Sequence, residues 1–121
     1  MNLTQQFKEK LELLKTKLEN TSSSYKYSAE LILSGLKTID LKDPIRNIFA
    51  KHGFTNEESF ARLKSLTNEL STFYKHEEII LTDDKRIRKA LQLLEALEDK
   101  VSDLLTALQA RIIFLENLKK E

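Results

Sequence analysis

The sequence predicts an all-α protein, an up-down-up bundle of three long helices of which two are interrupted. A four- or five-helix bundle is the alternative. Three observations predict this. Two glycines (Gly35, Gly53) and one proline (Pro44) in 121 residues are too few turn formers for a sheet protein. Leu, Glu, Lys, Ala and Gln carry the chain, and all are good helix formers. Apolar residues also recur at alternating three- and four-residue spacing over long stretches.

The first helix rests on Phe7, Leu11, Leu14 and Leu18, with Lys8, Glu9, Glu12, Lys15 and Glu19 between them. Asn2 or Thr4 supplies its cap. Asn20-Thr21-Ser22-Ser23-Ser24 then competes for backbone hydrogen bonds and weakens a helix without forbidding one. Beyond it Tyr25, Ala29, Ile32, Leu33 and Leu36 resume the pattern, and the register nearly survives as Leu18, Thr21, Tyr25, Ser28 and Ile32. One long helix to about Leu36 and two helices broken at the serines are both compatible with this.

Asp43-Pro44 is a helix start, because proline at the first helical position loses no hydrogen bond. Ile45, Ile48 and Phe49 give that short helix one apolar face, and Gly53 is its stop. Thr55-Asn56-Glu57-Glu58 reads as a capping box that opens a second start. Phe60, Leu63, Leu66, Leu70 and Phe73 form the stripe that follows. The stripe is lost at residues 76–81, expected to fray into a packed connection. Thr82-Asp83-Asp84 restarts the chain, with its acids at the positive end of a helix dipole.

Nothing breaks a helix from there to about Lys119, a rod of roughly 55 Å. Ile87, Leu91, Leu94, Val101, Leu105, Leu108, Ile112 and Leu115 fit one heptad seam, as in a coiled coil, with Glu98 as the misfit. Leu93, Leu97, Leu104, Ala107, Phe114 and Leu118 form a second seam beside it. Two seams imply two neighbours, and residues 2–38 and 43–80 are each about as long as residues 83–119. The chain therefore reads as one domain over residues 1–121, without repeats or linkers.

Composition limits the function. Apolar residues make up 40% and charged residues 32%, which argues against disorder. A net charge of +1 supplies no large field for nucleic acid or an anionic membrane. There is no cysteine, hence no disulfide or thiolate metal site. Residues 1–11 lack the apolar core of a secretory signal, and no run approaches a membrane span, so a cytoplasmic location is expected.

No chemistry-bearing constellation forms. Glu-x-x-His, the motif of metal-binding bundles, is absent, since Phe49 precedes His52 and Phe73 precedes His76 at that spacing. His76, Glu77, Glu78, Asp83 and Asp84 read as a solvated corner, not as a cation site. The serines at 22–24 have no histidine on a neighbouring turn, and there is no glycine-rich phosphate loop. Neither an enzymatic activity, a cofactor, a metal nor a small-molecule substrate is expected.

Lys85, Arg86, Arg88 and Lys89 form a possible basic patch, but on a helix they spread around more than half the circumference, and nearby Asp83, Asp84, Glu77 and Glu78 offset them. Nucleic-acid binding through them is a minor alternative. Tyr25 is expected in the core and Tyr27 at the rim. Protein binding is the remaining class. Ile112, Ile113, Phe114 and Leu115 are apolar on nearly every side, so one of them, Ile113, should face outward. Either the group docks a protein partner or a second copy, or Leu3 and residues 79–81 cover it. Leu13, off the first helix's seam, would extend the patch.

Two resemblances point the same way. Asp83-Asp84-Lys85-Arg86-Ile87-Arg88-Lys89 through Gln92-Leu93-Leu94-Glu95 resembles the last helix of BAG domains, three-helix chaperone regulators. That family pairs an Arg with a Gln eight residues later, whereas here Asp84 precedes Gln92 at that distance. The order Asp43-Pro44-Ile45-Arg46, Arg62-Leu63 and Ile80-Leu81-Thr82 resembles helical bacteriocin immunity proteins, although the long final helix departs from them. The resulting expectation is a non-enzymatic adaptor, chaperone-like or inhibitory module, or a self-associating oligomer. An immunity-type protector is the alternative.

Overall fold

The computed structural model describes the backbone of residues 2–36 and 56–119, and the side chains within them except 33–36, 56 and 118–119. It is an all-α bundle. The described elements are α1 (Leu3–Leu36), α2 (Asn56–Lys75), the short α3 (Glu77–Ile80) and α4 (Asp84–Lys119). The start at Asp43-Pro44, the apolar face of Ile45, Ile48 and Phe49, the stop at Gly53 and the Thr55 cap lie outside the described residues.

α1 is one helix of 34 residues. Asn2 caps it, its Oδ1 accepting the Gln5 N–H at 2.8 Å. It passes the serine-rich stretch without a break, which decides between the two readings above. Phe7, Leu11, Leu14, Leu18, Thr21 and Ser28 are buried, with Tyr25 partly so, in an unbroken three-four alternation. The seam tolerates Thr21 because its hydroxyl donates to the Lys17 carbonyl at 2.7 Å, inside the helix itself.

On α2 the buried line is Ser59, Leu63, Leu66 and Leu70, with Phe73 partly buried. The expected Phe60 is instead 53% exposed, because the true line begins one residue earlier at Ser59. The Phe60 ring leans on Tyr25, centroids 6.0 Å apart. The connection after α2 is more ordered than expected. A single turn at His76 leads into α3, and Ile80 and Leu81 pack against the core. Asp83 then caps α4, its Oδ1 accepting the Arg86 N–H at 2.8 Å.

α4 is the unbroken rod expected, 36 residues long, between two neighbours. Its seam has a different register, however. The buried positions are Ile87, Ala90, Leu94, Leu97, Val101, Leu104, Leu108, Arg111 and Leu115. This single alternation takes Ile87, Leu94, Val101, Leu108 and Leu115 from the first expected seam and Leu97 and Leu104 from the second, and Ala90 and Arg111 complete it. Leu91, Glu98, Leu105 and Ile112 are half-buried on one flank, and Leu93, Lys100, Ala107 and Phe114 lie on the other, with Leu93 53% exposed. Glu98 thus ceases to be a misfit. It sits at the α1 border, with Lys10 Nζ at 3.2 Å and Lys17 Nζ at 3.8 Å.

The contacts fix the directions. Lys10 reaches Glu95 and Glu98, and Tyr27 reaches Glu116, so α1 and α4 run parallel. Tyr74 meets Leu11 and Phe60 meets Tyr25, so α2 runs antiparallel to α1. Lys100 pairs with Glu69 at 3.6 Å on the α2–α4 border. The described helices are therefore up-down-up, with the α1–α4 pairing the most extensive. The parallel pairing overturns one expectation. Leu3 lies about 36 Å along α1 from Tyr27, which is beside Glu116, so Leu3 is far from residues 112–115 and cannot cover them.

The α1–α4 ion pairs are partly solvated and contribute little. Glu98→Gln is expected to cost under about 1 kcal/mol, and that cost should vanish in about 1 M salt. Paired urea titrations at low and high salt check both statements.

Candidate interaction surface

The bundle axis sorts the candidate residues by their angular position. On α4, Ile113 points directly away from the seam and is 60% exposed. Ile112 is half-buried on the α1 flank, and Phe114 is half-buried on the α2 flank. Leu13 is 70% exposed on the α1 side of the same border, the most exposed large apolar side chain among the described residues.

Leu13 stands in a groove of about 710 Å³ between α1 and α4, over Leu14 and Leu105. Glu9, Glu12, Glu98, Lys17, Asn20 and Thr16 complete its lining. Ile112 repeats the position of Leu105 one heptad later, and Ile113 faces outward beside it. From Leu105 to Ile113 is about 12 Å along the axis. The structure thus joins Leu13 to Leu105 in one groove, Ile112 lies further along the same border, and Ile113 faces outward, away from that border.

The four cations divide up. Lys85, Arg86, Arg88 and Lys89 are all exposed, but Arg86 Nε lies 3.3 Å from Asp83 Oδ2. Lys85, Arg88 and Lys89 stand at i, i+3 and i+4 and so share one exposed face of the first turns of α4, a narrower spread than the sequence reading expected. His76 is exposed, and no group of three or more possible metal ligands forms among the described residues.

Two tyrosines carry hydrogen bonds between helices. Tyr27, exposed at the rim as expected, donates to Glu116 Oε1 at 2.7 Å, and that bond above all raises its pKa. Tyr74 donates at 3.5 Å to the Leu11 carbonyl, and its pKa is raised first by burial and then by Glu12, Glu77 and Glu19.

The residue that sequence reasoning missed is Arg111, 4% exposed in the seam of α4. Burial lowers its pKa, and the charges of Glu58 and Tyr25 act in the opposite sense. The signal was present in the sequence. Counting three, four, three, four from Ile87 lands on Ala90, Leu97, Leu104 and Arg111, but a charged side chain there reads as surface.

The chain matches no family model, no curated protein and no solved structure. The resemblances to BAG domains and immunity proteins are carried by the quoted residues alone.

Proposed function

We propose that this chain is a non-enzymatic binding protein that holds an amphipathic helix along its parallel α1–α4 border. The observation that carries this is Leu13. It is a leucine 70% exposed over an apolar-floored groove, on a bundle whose own core is filled without it. Single exposed leucines are common and need no explanation. This one sits in a groove floored by Leu14 and Leu105, and Ile112 lies one heptad beyond Leu105 on the same border. A helix-in-groove partner presents apolar anchors at that kind of spacing. Glu9, Glu12 and Glu98 outnumber Lys17 around the groove, which favours a partner helix with basic flanks.

The partner is a second protein or a second copy of the chain. A toxin held by an immunity-type protector is one form of the first, and protection of a sensitive strain on expression identifies it. Leu13→Asp and Ile113→Asp are expected to keep the helical content and melting temperature, since both side chains are largely solvated. They are expected to remove concentration-dependent dimerisation in light scattering, or capture of a partner by the wild-type chain. Unchanged assembly and unchanged capture in both variants would defeat the reading. So would binding to nucleic acid at low salt that disappears when Lys85, Arg86, Arg88 and Lys89 are neutralised.

A further inference from the structure

The first turn of α2 meets α4 at a level of the bundle where buried side chains are polar. Phe60 contacts Tyr25, and Arg111 feels the charges of Glu58 and Tyr25, so these residues of three helices stand at about the same height. Ser59 lies between Glu58 and Phe60, and Ser28 follows Tyr25 by one turn on the α1 seam. Ser28 is 0% exposed, Ser59 1% and Arg111 4%. Four of their polar atoms, Arg111 Nε and Nη1, Ser28 Oγ and Ser59 Oγ, have no hydrogen-bond partner among the described residues.

A guanidinium only donates, and each hydroxyl holds one proton to donate. The two hydroxyl oxygens can also accept, but they carry no charge to set against the guanidinium. The N-terminus of the 20-residue α2 adds the positive end of a helix dipole and N–H groups that have no partner within the helix. A neutral acceptor would answer the hydrogen bonds but not the buried positive charge, whereas an anion answers both.

We propose that the Arg111 guanidinium, the Ser28 and Ser59 hydroxyls and the first turn of α2 form a binding site for an oxyanion of the carboxylate or phosphate class. The site is separate from the Leu13 groove and does not depend on it. Glu58, an exposed residue on the first turn of α2, is its built-in competitor. It keeps the affinity modest.

The test uses the full chain in sodium chloride, acetate and phosphate at matched ionic strength, read by thermal unfolding and titration calorimetry. The wild type is expected to show saturable, one-site stabilisation by at least one oxyanion over chloride. A larger response to acetate assigns a carboxylate ligand, and a larger response to phosphate assigns a phosphate group. Arg111→Met should fold and lose the response, and the Ser28→Ala/Ser59→Ala double variant should weaken binding about fivefold or more, at about one hydrogen bond's worth of affinity. Glu58→Gln should tighten it. Equal behaviour in all three salts overturns the proposal. So does an oxyanion response that Arg111→Met retains, because that is the general salting effect of such ions.

Discussion

Phe7→Ala is expected to lower the free energy of unfolding by about 3–5 kcal/mol, the usual cost of emptying a phenylalanine site in a packed core. Phe7 is 0% exposed at the start of the α1 seam, within the same apolar cluster as Leu94 and Leu97. Half of a marginal domain's stability, typically about 5–15 kcal/mol in all, is at stake in that one side chain. Leu13→Ala on the same helix is the control. Its side chain is 70% exposed, and its loss should change stability by less than about 0.5 kcal/mol. Urea denaturation of the two variants separates them, with a lower midpoint and an unchanged slope for Phe7→Ala. A loss below about 1 kcal/mol at Phe7 would mean that this end of the bundle is not packed as described.

Arg111→Met acts in the opposite direction. In buffer without oxyanions it is expected to stabilise the protein by about 1–4 kcal/mol, as hydrophobic replacements of buried ionic groups often do. The charged guanidinium has left water with two of its nitrogens unpartnered among the described residues, and its lowered pKa has the same sign: the folded state disfavours the charged form. Glu58 is left behind on an exposed site, so its own solvation does not suffer. Methionine restores the apolar alternation between Leu108 and Leu115 at nearly the same length of side chain. Destabilisation by more than about 1 kcal/mol would show instead that the guanidinium is well paired in solution.

The long-range plan of the molecule is legible in the sequence because it depends on spacing. α4 lacks any helix breaker, and the α1 seam can be followed through Thr21 and Ser28 because the count of three and four does not falter there. The register of α4 is less legible. Leu91, Leu105 and Ile112 are as apolar as true seam residues, while Ala90 and Arg111, which do belong to the seam, do not look it. The same confusion put Phe60 in the core in place of Ser59. In each case the helix period allows two neighbouring lines, and only the position of the partner helix decides between them. At the surface, Leu13 and Ile113 stand out in the sequence as apolar residues off any seam, and both are exposed. The polar level around Arg111 is not legible, because three helices widely separated in sequence create it.

Both the groove at Leu13 and the polar level at Arg111 depend on α1 and α4 running side by side in the same direction. The absence of cysteine makes this open to measurement by paired spin labels. Gln5, Gln92 and Gln109 are all exposed and suitable for labelling. Labels at Gln5→Cys and Gln92→Cys should be close, at neighbouring-helix spacing. Moving the second label to Gln109→Cys should displace it by about 25 Å along the axis. A short distance for the Gln5–Gln109 pair and a long one for Gln5–Gln92 would mean antiparallel helices and would contradict the account.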